Sequence, residues 1–174
     1  MIPPASATPR LLIVMGVSGS GKSSVGTGLA AALGGHFLDG DAFHPPASIA
    51  KMRRGEALTD ADRWPWLDSL AKTMAQTPGI VIGGCSALRR IYRDRIIAAA
   101  GEPVLFLHLA GPKDLIWQRM AARTDHFMPV SLLDSQFATL EPPGPDEPAL
   151  CVDIAPPLAE VVTRLARRLR PRHA

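Results

Sequence analysis

The stretch LLIVMGVSGSGKS, residues 11–23, decides the fold. It opens with an unbroken apolar run, residues 11–17, of the length of a strand buried on both faces. The run passes directly into Gly16-Val17-Ser18-Gly19-Ser20-Gly21-Lys22-Ser23, the spacing G-x-x-x-x-G-K-[ST]. Residues 22–33 then set Val25, Leu29 and Leu33 at helical intervals and stop at Gly34-Gly35. In a strand, glycine-rich turn and helix of this kind, backbone N–H groups and the positive end of the helix wrap a phosphate chain. The nucleotide-binding residues are therefore expected to be Gly16, Val17, Ser18, Gly19, Ser20, Gly21, Lys22, Ser23 and Ser24. Lys22 supplies charge for the β- and γ-phosphates and counts as catalytic, and the Ser23 hydroxyl suits a Mg²⁺ ligand.

Outward from this stretch, strand and helix patterns alternate. Strands are expected at 36–39, 79–85, 103–109 and 150–154. Helices are expected at 45–52, 60–76, 87–100, 112–123, 131–140 and 157–169. Thr59 and Ser131 are the expected N-caps, with Asp62 and Asp134 at N3. Residues 124–129 read as a loop and 141–148 (EPPGPDEP) as an extended connection. This alternation predicts an α/β P-loop NTPase fold: a five-stranded parallel sheet with helices on both faces, and ligands beyond the carboxyl ends of the strands. Residues 1–174 are expected to form a single domain with a disordered leader at 1–9 and a lid at about 119–140.

Composition narrows the function classes. No apolar stretch approaches the roughly 20 residues of a membrane span. The opening MIPPASATPR carries one basic residue, so no secretory signal is expected. Cys85 and Cys151 are too few for a disulfide framework or a zinc site, which points to a reduced, cytoplasmic setting. The net charge of +3 includes five arginines between Arg164 and Arg172. With no aromatic residue among them, they read as a solvated helix face rather than a nucleic-acid patch.

The acceptor side is less explicit. The third strand ends in Gly83-Gly84-Cys85-Ser86, without the carboxylate often found there to hold the metal. The second ends in Asp39-Gly40-Asp41, two carboxylates that point the same way if the chain is extended. Asp39 is assigned to Mg²⁺ through water, and Asp41 to orienting or deprotonating an acceptor hydroxyl. His44, three residues on and stiffened by Pro45-Pro46, is a hydrogen-bonding partner for a polyol. Arg89, Arg90 and Arg93 offer guanidinium groups to an anionic substrate. Arg119 and Arg123, spaced i, i+4, precede His126-Phe127-Met128-Pro129 and are assigned to a lid that closes over phosphates and excludes water.

Five stretches together carry a resemblance: MGVSGSGKSSVG (15–26), FLDGDAFHPP (37–46), IAKMRRGEALTDADRWPWL (49–67), CSALRRIYRD (85–94) and HFMPVSLLDSQFATLEPPGPDE (126–147). They resemble the gluconate kinases, within the shikimate-kinase-like P-loop group, over nearly the whole chain. The resemblance implies ATP-dependent phosphorylation of D-gluconate on its terminal hydroxyl, with Mg²⁺, in a cytoplasmic homodimer. It implies Lys22, Asp41, Arg119 and Arg123 as catalytic residues and Asp41, His44, Arg53, Arg90 and His126 as substrate-binding ones. Which of Arg90, Arg53 and Arg63 meets the substrate carboxylate stays open. Two departures stand out. Thr124-Asp125 replaces the family's usual Lys-Gly or similar pair, and Arg89 replaces a frequent Lys. Two other functions compete: a kinase for another small acceptor such as shikimate, and a non-catalytic nucleotide-binding switch.

Overall fold

In a computed structural model, which describes residues 8–122 and 130–170, β1 (Leu11–Met15) is buried along its whole length. β2 (His36–Asp39), β3 (Val81–Gly84), β4 (Val104–Ala110) and β5 (Ala149–Asp153) complete one parallel sheet of order β2-β3-β1-β4-β5. β1 is apolar at every position because both of its faces are covered. Leu12 and Val14 face Val25 and Leu29 of α1 (Lys22–Leu33), while Leu11 and Ile13 face the opposite layer. Each such side chain contributes about 1.5–3 kcal/mol on burial. The sheet reverses direction of travel at β1, between β3 and β4, so the turn after β1 opens at a topological switch point.

The remaining helices fill in around this. α2 (Pro46–Arg53) follows a 3₁₀ turn at Gly40–Phe43. α3 (Asp60–Gln76) and α4 (Arg90–Ala100) pack together on one face of the sheet. α5 (Lys113–Ala121) and α6 (Val130–Thr139) contribute Ile116 and Leu133 to the core of the other, where α7 (Leu158–Leu169) packs against α1. The expected capping box is present: Thr59 Oγ1 accepts from Asp62 N at 3.2 Å, and Asp62 Oδ2 accepts from Thr59 N at 2.8 Å. At the far end of the sheet Arg10 donates to the carbonyls of Ala75, Thr77 and Gly79 and pairs with Glu102, capping the end of α3.

Two helix starts differ from the sequence expectation. α4 begins at Arg90 rather than 87, because Ala87 stands at φ 43°, in the left-handed region that a helix cannot include. α6 begins at Val130, which puts Ser131 inside the helix rather than at its cap. The strand expected at 79–85 is confined to four residues. The leader as far as residue 7, the 124–129 loop and the last four residues lie outside the described residues.

The connection from α6 to β5, expected to be extended, is so only as far as Gly144; it then turns, with Glu147 N donating to Gly144 O at 3.1 Å, and is tied down by charge. Arg93 and Glu147 form a buried, bidentate pair, Nε to Oε1 at 2.7 Å and Nη2 to Oε2 at 3.0 Å. Arg93 Nη1 also donates to Ala87 O at 2.9 Å, and Glu147 Oε2 accepts from Gly144 N at 2.8 Å. Removing one partner of a buried pair strands the other charge, at a cost of about 3–5 kcal/mol. Glu147→Gln is expected to lower unfolding stability by about 3 kcal/mol in urea titration. Asp68→Asn, which breaks the surface pair with Arg95, is expected to cost about 1 kcal/mol or less.

Candidate active site

The glycine-rich turn packs close to α5. A Cβ at Gly19 (φ 79°) would lie 2.2 Å from Met120 Cγ, so both the backbone angle and the space exclude a side chain. Lys22 Nζ donates to Gly16 O at 3.1 Å and Val17 O at 3.0 Å, which folds its ammonium over the loop. Gly16 N in turn donates to Ser86 O at 3.3 Å, joining the loop to the turn after β3. Ser23 and Ser24 are exposed in the first turn of α1.

Beyond the strand ends lies a cavity of about 620 Å³. Ser18 and Lys22 line it from the phosphate loop, Asp41 and His44 from the turn after β2, and Arg53 from α2. Arg63 and Trp66 line it from α3, Ser86 from the turn after β3 and Tyr92 from the start of α4, and α6 adds Ser135, Gln136 and Thr139. The assigned residues Lys22, Asp41, His44 and Arg53 therefore face one space.

Asp39 and Asp41 do not sit on an extended chain. The backbone enters a 3₁₀ turn at Gly40, and the Asp39 carboxylate turns back to accept from Asp41 N at 3.0 Å. The turn is forced against the sheet: a Cβ at Gly40 would lie 2.2 Å from Gly84 O, and Gly40 O accepts from Trp66 Nε1 at 2.7 Å. Asp39 thus caps the turn, and Asp41 projects from it, largely exposed, into the cavity.

His44 stacks on Trp66 with centroids 4.0 Å apart and rings 20° from parallel. Burial holds its imidazole below the ordinary value of 6.5; Asp41 opposes that shift and Arg63 adds to it. His44 Nε2 is 4.0 Å from Asp41 Oδ1, while Nδ1 is buried with no partner among the described residues. A neutral imidazole in the cavity lining can either donate or accept a hydrogen bond.

Arg90, expected at the substrate, does not line the cavity. It pairs with Asp146 at 2.7 Å and Asp94 at 3.8 Å on the surface. Arg89 pairs with Asp60 and Glu141, and Arg93 is consumed by Glu147. Among the described residues, the arginines that line the cavity are Arg53 and Arg63. Arg63 is held in place from two sides. It donates to Leu58 O, and its guanidinium carbon lies 5.1 Å from the centre of the Tyr92 ring. Tyr92 donates to Asp60 Oδ1 at 2.6 Å; burial first, then this bond, raises the phenol pKa, and the same bond lowers that of Asp60.

Arg119 lies by the β5–α7 connection, donating from Nη2 to Pro156 O at 3.3 Å; its Nη1 is buried with no partner among the described residues. Arg123 and His126 lie outside the described residues. Cys85, buried behind the loop, is pushed up to about 12 by desolvation and stays a thiol at neutral pH. Among the described residues no cluster of three or more His, Cys, Asp or Glu forms a metal cage. The oxygens of Ser23, Asp39 and Asp41 are nonetheless the hard donors that Mg²⁺ takes alongside phosphate and water. Trp66, Tyr92 and Gln136 carry no assignment from the sequence, and Arg63 stands there only as an alternative for the substrate carboxylate; all four lie inside the matched stretches 49–67, 85–94 and 126–147, the only signal available.

Comparison with known proteins agrees with this geometry. Residues 11–143 match a family model described as an AAA domain. The gluconokinase of Gluconobacter oxydans is 50% identical over 148 residues, covering 83% of this chain and 82% of that protein. The thermoresistant gluconokinase of Escherichia coli is 46% identical, covering 88% and 89%. The crystal structure of a gluconokinase from Sinorhizobium meliloti superposes with a TM-score of 0.83 at 47% identity, covering 91% of this chain and 90% of that one. With a phosphate loop, a carboxylate and cavity-facing arginines around one space, and relatives this similar over most of its length, the chain belongs to the gluconokinase family of P-loop kinases.

Proposed function

We infer that the protein transfers the γ-phosphoryl group of ATP to the terminal hydroxyl of D-gluconate, giving 6-phospho-D-gluconate and ADP. One observation carries the reading: a single cavity presents Lys22 and Ser18 of the phosphate loop, the exposed carboxylate of Asp41, and two arginines. A sugar acid needs all of these at once. Its carboxylate pairs with Arg63 and Arg53, its hydroxyls bond to His44 and the polar face of α6, and its far end reaches Asp41. Asp41 takes the hydroxyl proton as the new O–P bond forms and the bond to the leaving ADP oxygen breaks. Lys22 and the loop N–H groups stabilise the charge that develops on the phosphate oxygens. Mg²⁺, held by Ser23 and through water by Asp39, neutralises phosphate charge when bound. Arg119, with Arg123, adds charge from the lid side. The protein is read as a cytoplasmic enzyme and, by family resemblance, a homodimer; no helix among the described residues is long and apolar enough to cross a membrane.

The deciding experiment is a coupled assay of ADP release with purified protein, with and without gluconate and with shikimate and other acceptors in parallel. Gluconate-dependent release is expected; ATP binding without acceptor-dependent release would make the protein a switch. Lys22→Ala is expected to lower kcat by about 100-fold or more. Asp41→Asn should lower kcat far more than it raises the KM for ATP, because the amide keeps the shape and loses the base.

The arginine assignment is separable. Arg63→Ala should raise the KM for gluconate by at least about ten-fold, from loss of a charge-assisted bond worth roughly 1.5–3 kcal/mol, and leave the KM for ATP near wild type. Arg90→Ala should change neither, and the reverse pattern would return the carboxylate to Arg90.

A further inference from the structure

α6 meets the cavity along one stripe, through Leu132, Ser135, Gln136 and Thr139, positions that share a helix face. Its other side is packed, with Leu133 fully buried and Phe137 against the core. The helix is tied at its middle, where Asp134 pairs with Lys113 of α5, and just past its C-terminal end, where Glu141 N donates to Leu88 O at 2.8 Å. From the middle of the stripe Gln136 reaches the phosphate loop, where its Oε1 accepts from Ser18 N at 2.6 Å. Ser18 lines the cavity alongside Lys22 and Asp41. A backbone N–H only donates, so this bond sets the orientation of the carboxamide: the oxygen faces the loop, and the two N–H donors of Nε2 face away from it.

We propose that Gln136 is a positioning residue that sets the register between the acceptor-binding face of α6 and the phosphate loop. The proposal rests on reading the cavity as the sugar-acid site. In phosphoryl transfer the protein contributes mainly position and electrostatics, and a misplacement of about 1 Å costs on the order of 100-fold. The loop fixes the phosphoryl group. Ser135 and Thr139, one turn apart on α6, face the polyol, and the Thr139 hydroxyl donates its proton to Ser135 O at 2.9 Å, which leaves its lone pairs for a substrate hydroxyl. Gln136 lies between the two and holds one against the other. Without it each substrate still binds, but the terminal hydroxyl is no longer held in line, and water competes for the phosphoryl group.

The test uses the full chain and follows ADP and sugar phosphate as separate products. For Gln136→Leu, kcat for sugar phosphorylation should fall about 10- to 100-fold, with the KM for ATP within about two-fold of wild type. More ADP than sugar phosphate should form, whereas wild type makes them in equal amounts. Gln136→Glu keeps an acceptor for Ser18 N–H but, when ionised, sets a negative charge beside the phosphates. Protonation restores a neutral group of the same shape, so the kcat of this variant relative to wild type should rise from about pH 8 to about pH 5.5. Unchanged kcat in both variants overturns the proposal. So does a fall in kcat with products still equal and a flat pH ratio, the pattern of a purely structural residue. If wild type ignores gluconate but phosphorylates another acceptor, the reading of the substrate fails, and the same product ratio measured with that acceptor still decides the role of Gln136. If wild type phosphorylates no acceptor, both fall.

Discussion

Arg93 and Glu147 meet in the interior, both almost fully buried, and the loops around the cavity are hung from that meeting. The guanidinium has three directed attachments: two to the carboxylate and one to the carbonyl of Ala87. The last holds a residue whose φ of 43° is unfavourable for any side chain with a Cβ. Ala87 lies between Ser86, whose carbonyl accepts from the first glycine of the phosphate loop, and Leu88, whose carbonyl accepts from Glu141. One buried pair thus connects the phosphate loop, the start of α4 and the strap that leaves α6. A bidentate fork suits this role because it fixes direction as well as distance.

The charges in the cavity are arranged by what surrounds them. Asp41 is exposed on a turn held by Gly40 and Trp66, so its carboxylate meets solvent and substrate rather than a buried partner. His44, three residues on, is kept neutral by burial against the same tryptophan. A protonated ring would compete with the substrate hydroxyl for Asp41; a neutral one leaves the carboxylate to the substrate. Positive charge is instead assigned to Arg63, and a carboxylate at one wall and a guanidinium at another define a site with two distinct ends. A substrate with a hydroxyl at one end and an anion at the other fits in one orientation.

The nucleotide side was legible in the sequence because it is local. Residues 11–33 carry strand, loop and helix in one unbroken segment, and α1 runs from Lys22 to Leu33 as its periodicity requires. The Thr59 cap and the start of α3 were legible for the same reason. At Asp39-Gly40-Asp41 the sequence allows either an extended chain or a tight turn at Gly40; the chain takes a 3₁₀ turn, whose Gly40 carbonyl is held by Trp66, 26 residues away. Arg90 stands away from the cavity because α4 starts at Arg90, three residues later than its pattern suggests, after the left-handed Ala87. With the later start, Tyr92 lies beside the cavity, Arg93 turns into the interior, and Arg90 turns outward to Asp146. Gln136 stands inside the matched stretch 126–147, but its bond to the loop is illegible there because its partner is 118 residues distant.

The two halves of the site therefore differ in kind. The phosphate loop is a continuous segment whose geometry follows from glycines and a helix start, so it transfers intact between proteins that share little else. The acceptor half is gathered from the turn after β2, α2, α3, the start of α4 and α6, each placed by contacts made far along the chain. Its specificity cannot reside in one motif, because no single segment brings both Asp41 and Arg63 to the cavity. It resides in the relative placement of five elements, and two features reduce that freedom: the Arg93–Glu147 pair, which holds the strap against α4, and the Tyr92–Asp60 bond, which fixes the ring beneath Arg63. A change that preserves every cavity-lining side chain but loosens either of these alters where the sugar acid sits relative to the phosphoryl group. Recognition and transfer in this fold are therefore one geometric constraint.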